Sequence, residues 1–284
     1  MSPSLVIKIA QSRTAQAMWG DFYYAYSLKK ALNRFGWKAR VAFRDELHDP
    51  VASEIVLLGL DMHEYVPAPG THSIAWLISH PNQNTPQVLS RYRKAYVSSL
   101  QLAREWGFEY LGQAFDSDVH FPPLASENPR YPVAFVGNAR AGDRLELIAL
   151  LDGELQDFHL WGNAHQDLRN WHGPLPWLRT GEVFRASSIV VGHNTALARA
   201  SGVANDRMHA VIACGAFLLS DEVSGIHELF PELICYKSPR HAVDLCYEFL
   251  RNAGERDRIA YRCTDHNRQQ SFDERATVIH RELT

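Results

Sequence analysis

The chain has 284 residues, 46 % of them hydrophobic and 21 % charged, with a formal net charge of −3. That is enough chain and apolar content to fill the cores of two α/β domains, and too little positive charge for a general nucleic-acid surface. No apolar run reaches the roughly 18 residues of a membrane-spanning helix, and Met1–Ala10 carries too short a one for a signal peptide.

In chain order, short β-branched runs alternate with longer helical patterns. The first half offers strands over Leu5–Ile9, Ala39–Phe43, Glu54–Leu58, Ser73–Ile78, Ala95–Ser98 and Tyr110–Gln113. Each run is nearly continuous in apolar character, as a strand covered on both faces must be. Between the first two, Phe22, Ala25, Leu28, Leu32 and Phe35 recur at helical spacing, and Gly36 stops that helix. The segment Phe121–Pro132 holds four prolines among polar residues and reads as a linker. Beyond it, strands are expected over Val133–Val136, Phe158–Trp161, Ile189–Val191, Ala216–Leu219 and Leu233–Tyr236. Such alternation predicts parallel sheets with right-handed crossovers: two doubly wound domains, with a ligand cleft at the carboxyl ends of their strands. The domains are set at 1–124 and 125–268, with 269–284 as a last helix returning to the first.

The most informative stretch runs from Ser201 to Asp221. It reads as a turn, a helix over Asp206–Cys214, a glycine stop at Gly215 and a buried strand. Asn205 or Asp206 caps the helix, whose free N–H groups and positive dipole end suit a phosphate. Arg207 in the first turn adds a guanidinium there, although on periodicity alone a plain capped helix with Arg207 in solvent is the favoured reading. The four cysteines, Cys214, Cys235, Cys246 and Cys263, form no CxxC pair and read as reduced thiols of a cytoplasmic protein. Asp116-Ser-Asp118 with His120 spells a possible cation site, but beside the proline-rich linker it is read as a chance acidic triplet, and no metal is expected. Neither a GxxxxGK[ST] nor a GxGxxG motif occurs, which argues against P-loop and nicotinamide chemistry.

The Ser201–Asp221 stretch resembles the C-terminal domain of CgeB-type (spore-maturation-like) glycosyltransferases, which are related to the group 1 transferases. The resemblance is carried by Gly202, Asn205, Arg207, Ala210, Ala213–Ala216, Ser220 and Asp221, followed by Gly225-Ile-His-Glu-Leu-Phe230. Upstream, Phe135-Val-Gly-Asn-Ala-Arg140 with Arg144, Trp76-Leu-Ile-Ser-His-Pro81 and Gln113–Pro122 are similar to segments of the same group, in the same order. The sequence departs from that pattern at Met208 and His209, where an aromatic and an acidic or amide residue usually stand.

The resemblance implies a GT-B-like fold, two Rossmann-type domains facing a cleft, and transfer of a sugar from a nucleoside diphosphate to a hydroxyl acceptor. The acceptor is a glycan, a lipid-linked glycan, a protein or a modified nucleobase. The family implies retention of configuration, with no metal and no cofactor beyond the donor. Arg140, Arg144 and Arg207 would face the diphosphate, helped by Asn205, His209, the amides of Gly225, Ile226 and His227, and Gly20 in the first domain. His80, Asp21 and Glu228 are the catalytic candidates. A nucleotide-sugar 2-epimerase and a non-catalytic sugar-nucleotide-binding subunit on the same fold remain the alternatives.

Overall fold

The computed structural model describes residues 3–14, 20–123, 129–138, 142–163 and 168–284. They form two compact units. The first comprises residues up to Ala114 with Ala200–Ala204 and Gln270–Thr284; the second comprises Phe115–Arg199 and Asn205–Gln269.

The first unit is built on six parallel strands: β1 (Ser4–Lys8), β2 (Lys38–Ala42), β3 (Ser53–Leu58), β4 (His72–Leu77), β5 (Lys94–Val97) and β6 (Glu109–Tyr110). Their order is β2-β1-β3-β4-β5-β6. Alternate residues of one strand feed two separate cores, which is why the strands read as unbroken apolar runs. Ile55, Leu57, Ile74 and Trp76 pack on one face with Leu28 of α1 (Gly20–Arg34) and Ala276 of α11 (Phe272–Leu283). Val56, Leu58, Ala75 and Leu77 pack on the other with Leu102 of α3 (Leu100–Trp106). The last helix, α11, lies on α1, where the Trp37 indole donates to His280 Nδ1 at 3.0 Å. Strand β6 is shorter than the expected Tyr110–Gln113. The Leu111 amide still donates to Val97 O at 3.0 Å, but the Leu111 carbonyl accepts from the Trp76 indole at 2.8 Å and the Gln113 side chain donates to the Ile78 carbonyl, so strand pairing ends there.

The second unit has five parallel strands: β7 (Tyr131–Val136), β8 (Phe158–Trp161), β9 (Ser187–Val191), β10 (Phe217–Asp221) and β11 (Ile234–Tyr236), in the order β11-β10-β9-β7-β8. Helix α4 (Asp143–Glu154) packs on α9 (Pro239–Arg251), while α5 (Thr180–Arg185) and α10 (Ala253–Asn267) pack on α7 (Asp206–Ala213). In both sheets the strand order reverses once beside the first strand of the unit, between β1 and β3 and between β7 and β9. Ligands of doubly wound sheets collect at the carboxyl side of such a reversal.

Candidate functional site

In the second unit the reversal is occupied by arginines. Arg144, in the first turn of α4, donates to the carbonyl oxygens of Asn138 at 3.1 Å and His193 at 2.9 Å. Arg207, in the first turn of α7, donates to Val136 O at 2.8 Å and to the same His193 O at 3.1 Å. The helix that carries Arg207 starts where the sequence places it: the Asn205 side chain caps it by accepting from the Met208 amide at 3.1 Å. Gly137 is needed for this approach, because a Cβ there would lie 2.4 Å from Arg207 Nη1. Burial, then the charge of Arg144, pushes the Arg207 guanidinium down to about 10. Two like charges held together at the positive end of a helix dipole make a binding place for an anion.

Beneath them lies a network that the sequence motifs did not assign to the site. Asp221, at the end of β10, is buried, and both its oxygens accept from the Asn194 amide at 3.0 Å. Arg199 donates to Asp221 at 2.9 Å and to Asp143 at 2.6 Å. The Arg199 hydrogen bond holds the Asp143 carboxyl down to about 2. The Tyr236 hydroxyl donates to Gly192 O at 2.9 Å and sits 2.9 Å from His193 Nδ1. Asp221 thereby fixes the backbone at 194, and Tyr236 fixes it at 192. Between them is the carbonyl on which both guanidiniums converge.

In the first unit, Asp21 opens α1 behind the end of β1 and accepts from the Gln11 side chain at 2.9 Å. Burial raises the Asp21 carboxyl above its ordinary value, and the opposing pulls of Gln11 and of His80 do not cancel it. Gly59, just past β3, allows this packing, since a Cβ there would meet Asp21 Oδ2 at 2.8 Å and Ser79 Oγ at 3.3 Å. His80 follows β4 in a left-handed backbone (φ 55°), with Nδ1 2.9 Å from Ser79 Oγ. The Asn84 side chain holds that turn by donating to Gly59 O at 2.8 Å and His80 O at 3.1 Å. A non-glycine residue costs about 1–2 kcal/mol in this conformation, which the turn must offset. Asp21 and His80 are thus brought together, a buried carboxyl beside an imidazole, the residue types of proton transfer.

Other expected residues go elsewhere. Gly20 is exposed, with nothing within 4 Å of an added Cβ. Arg140 lies outside the described residues. His209 is 1 % exposed, and its Nδ1 sits 2.8 Å from Asn267 Oδ1 of α10, a helix-packing contact. The Ile226 side chain is buried, and its amide donates to Val223 O at 3.0 Å. Gly225 turns the chain left-handed (φ 74°) into α8 (Ile226–Leu229), on which His227 and Glu228 are exposed. Asp116 is a turn residue, its Oδ1 accepting from the Asp118 amide at 3.0 Å. Among the described residues, one group of metal-ligand types lies together: Glu222, His227 and Cys235.

Parallel doubly wound units of this kind are the fold of GT-B glycosyltransferases, and paired guanidiniums at a strand-order reversal suit the diphosphate that such enzymes handle. A family model described as glycosyl transferase-like matches residues 140–281, half of the chain, and the protein belongs to that family. No curated protein sequence matches it. Among solved structures, phage T4 BGT in complex with UDP-glucose aligns with TM-score 0.65 at 12 % identity, covering 99 % of both chains. AviGT4, a glycosyltransferase involved in avilamycin A biosynthesis, aligns at 0.69 and 13 % over 99 % of this chain and 96 % of its own. An α-glucosyltransferase in complex with UDP and a DNA 13-mer aligns at 0.61 and 9 %, covering 100 % and 99 %. Identities this low speak to fold. No helix among the described residues is long and apolar enough to cross a membrane.

Proposed function

We propose that this glycosyltransferase moves a hexose from a uridine-diphosphate sugar to a hydroxyl acceptor, as a CgeB-type member of its family. The observation that carries this reading is the convergence of Arg144 and Arg207 on His193 O. Guanidiniums so placed neutralise the charge that gathers on a departing diphosphate. The preference for uridine rests on the similar structures that hold UDP or UDP-glucose. Asp21, a buried carboxyl with a raised proton affinity, takes the proton of the acceptor hydroxyl in this reading, with His80 beside it.

Counter-charge from arginine leaves no catalytic task for a metal, so transfer proceeds in the presence of EDTA. The donor's configuration is retained, as the family resemblance implies, and NMR of the anomeric proton in the product tests this. Four cysteines without a disulfide support a reducing, cytoplasmic setting. The acceptor is a hydroxyl of a glycan, a lipid-linked glycan, a protein or a modified nucleobase. The deciding experiment incubates the protein with UDP-sugars, with and without an acceptor panel. Acceptor-dependent UDP release supports transfer. Epimerised or free sugar without an acceptor supports the epimerase, and binding without turnover supports a non-catalytic subunit.

A further inference from the structure

Strands β10 and β11 pair with Ser220 opposite Cys235 and Asp221 opposite Tyr236. Glu222 follows β10 directly, and the chain then turns through Gly225 into α8, which carries His227 back over the same strand ends. Three ligand atoms from three different elements meet here. The Glu222 carboxylate, a His227 ring nitrogen and Cys235 Sγ all lie within 4.8 Å of one another, and His227 Nε2 is 3.7 Å from Glu222 Oε1.

We propose that Glu222, His227 and Cys235 form a site for a thiophilic divalent cation of the zinc class, which ties the 222–227 turn to β11. In a tetrahedral site with bonds of about 2.0–2.3 Å, neighbouring ligand atoms stand about 3.3–3.8 Å apart. The Glu222–His227 separation of 3.7 Å already falls in that range, and the atoms of the full set lie within 4.8 Å of one another, with Glu222 and His227 both exposed. Glu222 and the Cys235 thiolate together balance a double positive charge, and the thiol proton leaves to solvent as the sulfur ligates. One sulfur, one imidazole and one carboxylate favour Zn²⁺ or Co²⁺ over the hard cations Mg²⁺, Ca²⁺ and Mn²⁺. Three protein ligands leave a fourth position for water.

The site lies on the turn that carries Gly225 and His227, both expected at the donor. A bound ion recruits His227 as a ligand and holds the turn in one conformation. Metal binding is measured without nucleotide, so its outcome is independent of the donor reading. The full-length chain, reduced and stripped with chelator, is titrated with CoCl2 and then ZnCl2. The expected result is one Co²⁺ per chain, with a thiolate-to-cobalt charge-transfer band in the near ultraviolet that Zn²⁺ abolishes. Cys235→Ser is expected to lose that band, and His227→Ala and Glu222→Gln each to weaken Zn²⁺ binding by about tenfold or more. Circular dichroism confirms that each variant is folded, and the exposure of His227 and Glu222 makes their replacement mild. Absence of stoichiometric binding overturns the proposal. So does a cobalt spectrum without a thiolate band, or a band that survives Cys235→Ser.

Discussion

The guanidinium groups of Arg144 and Arg207 share one acceptor, the carbonyl oxygen of His193, at 2.9 and 3.1 Å. The two residues reach it from different helices, and each also binds a carbonyl at the end of β7, Asn138 O for Arg144 and Val136 O for Arg207. The strand-order reversal between β7 and β9 is therefore bridged by positive charge. The carbonyls and the neighbouring Asp221 partly offset the two guanidiniums, and in the proposed reaction the donor diphosphate would complete the balance.

Arg207→Ala is expected to abolish most of the rise in melting temperature that UDP produces. Loss of one charge-assisted contact corresponds to roughly 1.5–3 kcal/mol of binding. Arg207→Lys keeps the charge but cannot span Val136 O and His193 O together, so it should recover only part of the affinity. Calorimetric titration of UDP into both variants checks this. Wild-type affinity in Arg207→Ala would remove the residue from the donor site.

Asp21→Asn separates stability from chemistry. A carboxyl with a raised folded-state pKa binds its proton more tightly when folded, so its favourable contribution is complete below its unfolded value of 3.8 and is lost as pH rises through the folded value. Above that folded value the buried charge costs stability, and Asn removes it. The variant should melt above wild type at pH 7, with the gap closing as the pH falls towards 4. Transfer should drop by about 10²–10⁴-fold, the range for losing a positioned base. Melting curves across pH, with initial rates, test both halves.

Gly59→Ala places a Cβ 2.8 Å from Asp21 Oδ2. Displacing that carboxylate should slow transfer by about tenfold or more and cost about 1–3 kcal/mol of overpacking. UDP affinity, which belongs to the second unit, should hold. A variant with normal turnover would show that the position of Asp21 is not critical.

His80→Ala should leave the UDP-induced melting shift intact and cut transfer about 10²-fold. His80→Gly, which relieves the left-handed backbone, should be the more stable of the two and equally slow. Turnover equal to wild type in either would reduce His80 to a turn residue.

Asp221→Asn retains the shape of the side chain and removes the charge that Arg199 and the Asn194 amide share. The cost should be about 1–3 kcal/mol by urea unfolding. UDP affinity should fall as well, because the backbone at His193 loses its support. A stable variant with unchanged affinity would uncouple Asp221 from the site.

The central strands, such as β1, β3, β4 and β10, were legible in the sequence because they are covered on both faces, which writes a nearly unbroken apolar run into the chain. All eleven appear, and the cap at Asn205 was readable because it is a contact between close neighbours in sequence. Arg207 and Asp21 were recognisable as residue types at helix starts, with a family resemblance behind them. What only the tertiary structure decided is their partnership. The acceptor for both arginines is a main-chain carbonyl, which leaves no side-chain signature, and Asp221, Arg199 and Tyr236 come together from elements far apart in sequence. Gly59 matters for the space that it leaves beside Asp21, and His209 meets Asn267, 58 residues further along. Periodicity along a chain records which faces are buried, whereas the meeting of charges at a sheet reversal depends on how strands are ordered, and that order is set by packing.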